Sequence, residues 1–84
     1  MSTQEDFETA SKRAQQLPTK PGNMVLIQLY ALYKQATDGN VAGDRPGGFD
    51  FKAIAKYDAW SGLRGTSKDA ASQQYVELVR ELAG

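Results

Sequence analysis

Met24-Val25-Leu26-Ile27-Gln28-Leu29-Tyr30-Ala31-Leu32-Tyr33-Lys34-Gln35-Ala36-Thr37 is the stretch on which the fold turns. It reads as a helix roughly 21 Å long at about 1.5 Å per residue, and only Gln28 interrupts its apolar run before Lys34. A surface helix shows one apolar stripe, whereas a helix that is apolar all round is buried on more than one side. In a chain of 84 residues, the second side faces either another protein or a bound apolar ligand.

Outward from this helix the pattern stays helical. Ahead of it, Pro21, Gly22 and Asn23 are turn chemistry, with Asn23 as the expected N-cap. Earlier still, Phe7, Ala10, Ala14 and Leu17 recur at helical spacing, and Pro18 stops the run. Ser2 with Glu5, or Thr3 with Asp6, has the spacing of a capping box. Downstream, Asp38 to Gly48 carries Gly39, Gly43, Pro46, Gly47 and Gly48 and reads as a loop. Its length is near the limit for a structureless connection, which points to a role. A third helix is expected from Asp50, as cap, to about Trp60, with Phe51, Ile54 and Ala55 apolar. Gly62 and Gly65 mark a break. Thr66 or Ser67 then opens a last helix with Ala71, Tyr75, Leu78, Val79 and Leu82 as its inner stripe, and Thr66 with Asp69 has capping-box spacing. Four helices, no strand signal and no repeat give an all-α class and a four-helix bundle.

Length and composition narrow the function. One domain, residues 1–84, is expected, and a chain of this size buries only ~60% of its unfolded surface. Cysteine and histidine are absent, so disulfides, thiolate chemistry and the commonest general base are excluded. The polar, acidic start predicts no signal peptide, and no apolar run reaches the ~18 residues of a membrane span. A cytoplasmic address follows as the expectation. Ten basic and ten acidic residues cancel, against nucleic-acid binding. Their distribution is uneven: Lys12, Arg13, Lys20 and Lys34 fall between Glu8 and Asp38 with no acidic residue among them. Five basic residues stand against Asp50 and Asp58 from Arg45 to Lys68. These segments are either solvated helix faces or two sides of a local anion site.

On the second helix, Tyr30, Tyr33 and Lys34 share one face, because residues three and four apart are neighbours. Two flat rings beside a cation suit a ligand with a planar base and a phosphate. The same triplet also fits two core tyrosines with their hydroxyls at the edge, beside a solvated lysine. Lys56 is the candidate second cation, and lysines are point-charge donors suited to a terminal phosphate.

The segment Tyr30 to Gly39, with Arg45-Pro46-Gly47, Asp50-Phe51-Lys52, Ala55-Lys56-Tyr57-Asp58-Ala59-Trp60 and Leu63 to Asp69, resembles the acyl-CoA-binding protein family, from about Phe7 to Leu82. That resemblance implies a small four-helix carrier of fatty acyl-CoA thioesters. It implies that Lys34 and Lys56 meet the 3′-phosphate of the CoA ribose, that Tyr33 stacks on adenine, and that Tyr30 and Tyr75 add contacts. Leu26, Ile27, Ala10, Ala14 and Tyr57 are the candidates for the acyl groove, by resemblance and by their apolar positions. Tyr57 stands where the family commonly has tryptophan, Gln15 where better-known members have a ligand-reaching lysine, and Gln28 where a large apolar residue is usual. The last helix also stops early, at Gly84.

The expectation is therefore a monomer that binds, buffers and transports long-chain acyl-CoA without catalysis, cofactor, metal or stable membrane insertion. Enzymes that make or use acyl-CoA are its candidate partners. The alternative is a helical interaction module that docks a protein through the apolar second helix. A thioesterase lacks an activated nucleophile or general base.

Overall fold

A computed structural model describes residues 4–84, with side chains from Asp6 onward. Its four helices are α1 (Gln4–Ala14), α2 (Asn23–Thr37), α3 (Phe51–Ser61) and α4 (Lys68–Ala83), and no strand occurs among the described residues. The expected capping box involving Ser2 or Thr3 lies outside them.

Helix ends follow local chemistry. α1 stops at Ala14, earlier than the spacing of Leu17 suggests. Gln15 N–H donates to the Lys12 carbonyl at 3.2 Å and Gln16 N–H to that of Arg13 at 2.9 Å, a tightened i to i−3 turn. Pro18 disfavours helical backbone at Leu17 and crowds the carbonyl four residues back, so the helix unwinds ahead of it. Asn23 is the first residue of α2 and not its cap; Gly22 caps, with extended backbone and no side-chain bond. Glycine serves there at little cost beside a side-chain cap. Asp38 and Gly39 both donate backbone N–H groups to the Lys34 carbonyl, at 2.7 and 3.2 Å. Gly39 does so at φ 85, where a side chain would be strained.

Asp50 caps α3, its carboxylate accepting from Ala53 N–H at 3.1 Å. Ser67, rather than Thr66, caps α4 by accepting from Ala70 N–H at 3.0 Å. With Ser67 as cap, Asp69 falls in the first turn, where it favours the helix dipole without closing a capping box.

The core is formed by α1, α2 and α4. Phe7, Ala10, Leu29, Leu32, Tyr75 and Val79 make one buried cluster, with Ala14, Leu78 and Leu82 packed against it. α4 lies against both α1 and α2, whereas α3 packs on α2 alone and has no buried residue. This arrangement explains the apolar circumference of α2, which serves α4 on one side and α3 on another. The molecule is a slab, 37 × 28 × 15 Å.

The long loop between α2 and α3 is tied down. Trp60 Nε1 donates to the Gly39 carbonyl at 2.8 Å and the Tyr57 hydroxyl to that of Gly43 at 2.9 Å. Arg45 grips Asp58 through two bonds of 2.8 and 2.9 Å. Val41, within the loop, is buried. Gln35, fully buried, donates to Asn40 Oδ1 at 3.0 Å and the Thr66 carbonyl at 2.8 Å. Asn40 Oδ1 also accepts from Gly65 N–H at 2.9 Å. These amides join the end of α2 to the turn before α4.

Candidate functional site

Because α3 leans on α2 alone, a groove stays open along their shared edge. Leu26, Ile27 and Tyr30 of α2 line one wall, and Phe51, Lys52, Ala55 and Lys56 of α3 the other, with Lys20 and Asn23 at the entry to α2. Its volume is about 530 Å³, inside the range of roughly 300–1,000 Å³ for small-molecule sites. Leu26, Ile27, Phe51 and Ala55 make the lining largely apolar, and three lysines complete it. Lys56 Nζ lies 5.0 Å from the centre of the Tyr30 ring, a cation–π contact.

Lys34 sits one turn beyond Tyr30 and outside the groove proper. Its ammonium pairs with Asp38 four residues on, and lies 5.1 Å from the centre of the Trp60 ring. The hydrogen bond to Asp38 outweighs a small opposing effect of burial and raises the Lys34 pKa above its ordinary 10.5, so the group stays charged at neutral pH.

Tyr33 belongs to a second cluster. Its ring stacks on Phe7 at 5.5 Å between centres with a 24° tilt. Tyr75 completes the group, 5.2 Å from Phe7 and 6.0 Å from Tyr33. Tyr33 keeps 39% of its surface exposed, whereas Tyr75 keeps 5%. Burial pushes the Tyr75 hydroxyl above its ordinary pKa, opposed by a hydrogen bond with Ser11. One aromatic ring is thus presented to solvent on a rigid aromatic base.

Of the residues singled out from sequence, Tyr30, Lys56, Leu26 and Ile27 meet in the groove, and Lys34 and Tyr33 belong to the same helix but are not part of its lining. Tyr75 and Ala10 are buried in the core, Tyr75 beside the ring of Tyr33. Ala14 is half-buried against that core, and Gln15 is exposed in the turn after α1. Tyr57 is half-buried and directs its hydroxyl to the loop carbonyl of Gly43. Gln28 opens onto a separate, smaller groove of about 340 Å³ with Met24, Leu63 and Gln74.

Sequence reasoning missed Lys20, Asn23, Phe51, Lys52 and Ala55 as groove lining, and Asp38 and Trp60 as neighbours of Lys34. The i, i+4 pairs Phe51–Ala55 and Lys52–Lys56 mark one face of α3, and Lys34–Asp38 has the same spacing. Asn23 stands at the same spacing from Ile27, whereas Lys20, in the connection before α2, carries no such signal. Among the described residues, no group of carboxylates is placed to hold a metal ion, and no helix is long and apolar enough to cross a membrane.

Residues 4–79 match the family profile described as Acyl CoA binding protein. The acyl-CoA-binding protein of Brassica napus is 44% identical over 82 residues, which cover 98% of this chain and 89% of that one. Enoyl-CoA delta isomerase 2 of Rattus norvegicus is 49% identical over 82 residues, 98% of this chain but 21% of the enzyme's length. In three dimensions, the crystal structure of Oryza sativa acyl-CoA-binding protein 2 superposes with a TM-score of 0.88 at 43% identity, covering 94% of this chain and 88% of that one.

Proposed function

The chain belongs to the acyl-CoA-binding protein family, and from that premise we propose that it binds long-chain fatty acyl-CoA esters reversibly, buffers them and carries them. The observation that supports this reading is the juxtaposition of an apolar groove with Lys20, Lys52 and Lys56 and with the ring of Tyr30. Such a groove suits a molecule with a greasy tail and an anionic head.

Leu26 and Ile27, with Phe51 and Ala55, are assigned to the tail. Each buried methylene contributes about 0.8 kcal/mol, so ten supply roughly 8 before ordering costs. Lys34 and Lys56 are assigned to the 3′-phosphate and Tyr33 to the adenine. Tyr30 flanks the phosphate through its contact with Lys56. Tyr75 acts from beneath, as part of the floor that keeps Tyr33 in place, and Ala10 lies in the core behind that floor. Ala14, Gln15 and Tyr57 remain candidates for peripheral contacts. Placed this way, the tail and thioester are covered, which keeps the ester out of micelles and slows its hydrolysis.

The proposed activity is binding without chemistry, in the cytoplasm, as a monomer. Acyl transfer or thioester hydrolysis needs a nucleophile paired with a base, and the chain has neither histidine nor cysteine. The alternative of a docking module loses its main support, because α4 and α3 take up the apolar sides of α2. Enzymes that make or use acyl-CoA are the proposed donors and acceptors.

Calorimetric titration with acyl-CoAs of several tail lengths, against free CoA and free fatty acid, tests the reading. The ester is expected to bind far more tightly than either part. Equal affinities for ester and free fatty acid would remove the head-group site.

A further inference from the structure

The two lysines assigned to the phosphate differ in their surroundings. Lys56 faces the Tyr30 ring and has no ion-pair partner among the described residues. Lys34 is already paired with the Asp38 carboxylate, and its ammonium is bounded on another side by Trp60. Trp60 is itself fixed by its bond to the Gly39 carbonyl at 2.8 Å. The side chains of Lys34 and Asp38 are 28% and 52% exposed, so the pair lies where a ligand can reach it.

Helix stability does not account for Asp38. It is the C-cap residue of α2, the negative end of the helix dipole, where a carboxylate is disfavoured. Lysine preceding an acid at i, i+4 is also the weaker order for such a pair. Its backbone N–H bonds the Lys34 carbonyl whatever the side chain. Lys34 is the one ion-pair partner of its carboxylate among the described residues.

We propose that Asp38 is a resident competitor for the ligand's terminal phosphate: it occupies the Lys34 ammonium in the free protein, and the phosphate must displace it or share the cation with it. This deepens the reading of Lys34 given above and rests on it. A phosphate dianion carries more charge than the carboxylate and prevails at Lys34. The carboxylate, tethered four residues away, continues to compete for the same ammonium. Asp38 thereby lowers affinity for phosphate-bearing esters and leaves esters without that phosphate alone. It acts through Lys34, as a positioning residue.

The test is titration of the parent chain, Asp38→Asn, Lys34→Ala and the double variant, each with a long-chain acyl-CoA and its 3′-dephospho analogue. Helix content by circular dichroism accompanies each variant, with Asp38→Ser as a second substitution. Asp38→Asn is expected to tighten the phosphorylated ester by about tenfold, the effect of freeing one ammonium from a competing carboxylate in a wet site. It should leave the dephospho ester unchanged, and the gain should vanish in the Lys34→Ala background. An equal change for both ligands, no change, or weaker binding of the phosphorylated ester overturns the proposal while leaving the Lys34 assignment intact. If Lys34→Ala itself costs the same with either ester, the phosphate assignment has failed and the Asp38 proposal falls with it.

Discussion

Two halves of this molecule are built to different specifications. On one side α1, α2 and α4 enclose Phe7, Leu29, Leu32, Tyr75 and Val79, each at most 8% exposed. On the other, α3 rests on α2 without burying a single residue, and Phe51 at its start is 71% exposed. Closing the second interface as tightly as the first would fill the groove. The difference teaches that the packed core and the open groove are carried by different faces of one helix, since α2 contributes Leu29 and Leu32 to the first half and Leu26, Ile27 and Tyr30 to the second.

Substitutions can break that division. Leu32→Ala, in the packed half, should cost about 3–5 kcal/mol of stability, a large share of the roughly 4–12 kcal/mol expected for a chain of this size. Denaturant unfolding measures it, and the folded fraction should still bind acyl-CoA normally. Loss of affinity without loss of stability would mean that the halves are not separate.

Lys56→Ala, in the open half, should do the reverse. Binding should weaken by about 2–4 kcal/mol, within the scale for truncating one partner of a desolvated charge pair. The unfolding midpoint should hardly move, and the dephospho ester should be nearly indifferent. Titration of both esters decides it.

Tyr33 sits on the boundary, so Tyr33→Ala sharpens the comparison. Binding should lose about 1–3 kcal/mol, the range for a base stacked on an aromatic ring. Stability should fall by about 0.5–1.5 kcal/mol through the lost stack on Phe7. A stability loss alone, with affinity intact in the folded fraction, would place Tyr33 wholly in the packed half.

The smallest effect concerns how the loop is pinned to α3. Hydrogen bonds from Arg45 hold the Asp58 carboxyl below its ordinary 3.8. The pair's contribution is therefore complete above that ordinary value and lost as pH falls through the lower folded value. Asp58→Asn should lower the melting temperature slightly near neutral pH, and the gap should close in strong acid. Because the pair is exposed, the gap should also shrink in high salt. A gap that is constant with pH would assign it to something other than the ion pair.

How far the sequence discloses all this depends on whether the signal is local. Asp50 and Ser67 are legible as caps because a cap needs only a short side chain and the next few amides. The inner stripe of α4 is legible from period alone. Asn23 misleads because glycine beside it can cap without a side chain. Gln35 is opaque: a buried amide that joins Asn40 to Thr66 depends on three segments meeting, and polarity by itself points outward. The site divides the same way. Tyr30 and Lys34 are one turn apart and can be read together, whereas Lys20, Phe51 and Lys52 join the groove only when α3 settles on α2. Asp38 stands in plain view at i+4 from Lys34, but its pairing with that ammonium beside Trp60 is visible only once α2 and α3 meet.

Trp60 is the chain's one tryptophan, and the ammonium of Lys34 lies over its ring while its own N–H is held by Gly39. Indole emission responds to charge placed near the ring. An anion that draws Lys34 away, or a substitution that frees it from Asp38, alters the field at the fluorophore without moving the fluorophore itself. Occupancy of the proposed phosphate end of the site can thus be followed by intrinsic fluorescence in an unlabelled sample, and stopped flow would time the proposed exchange of carboxylate for phosphate.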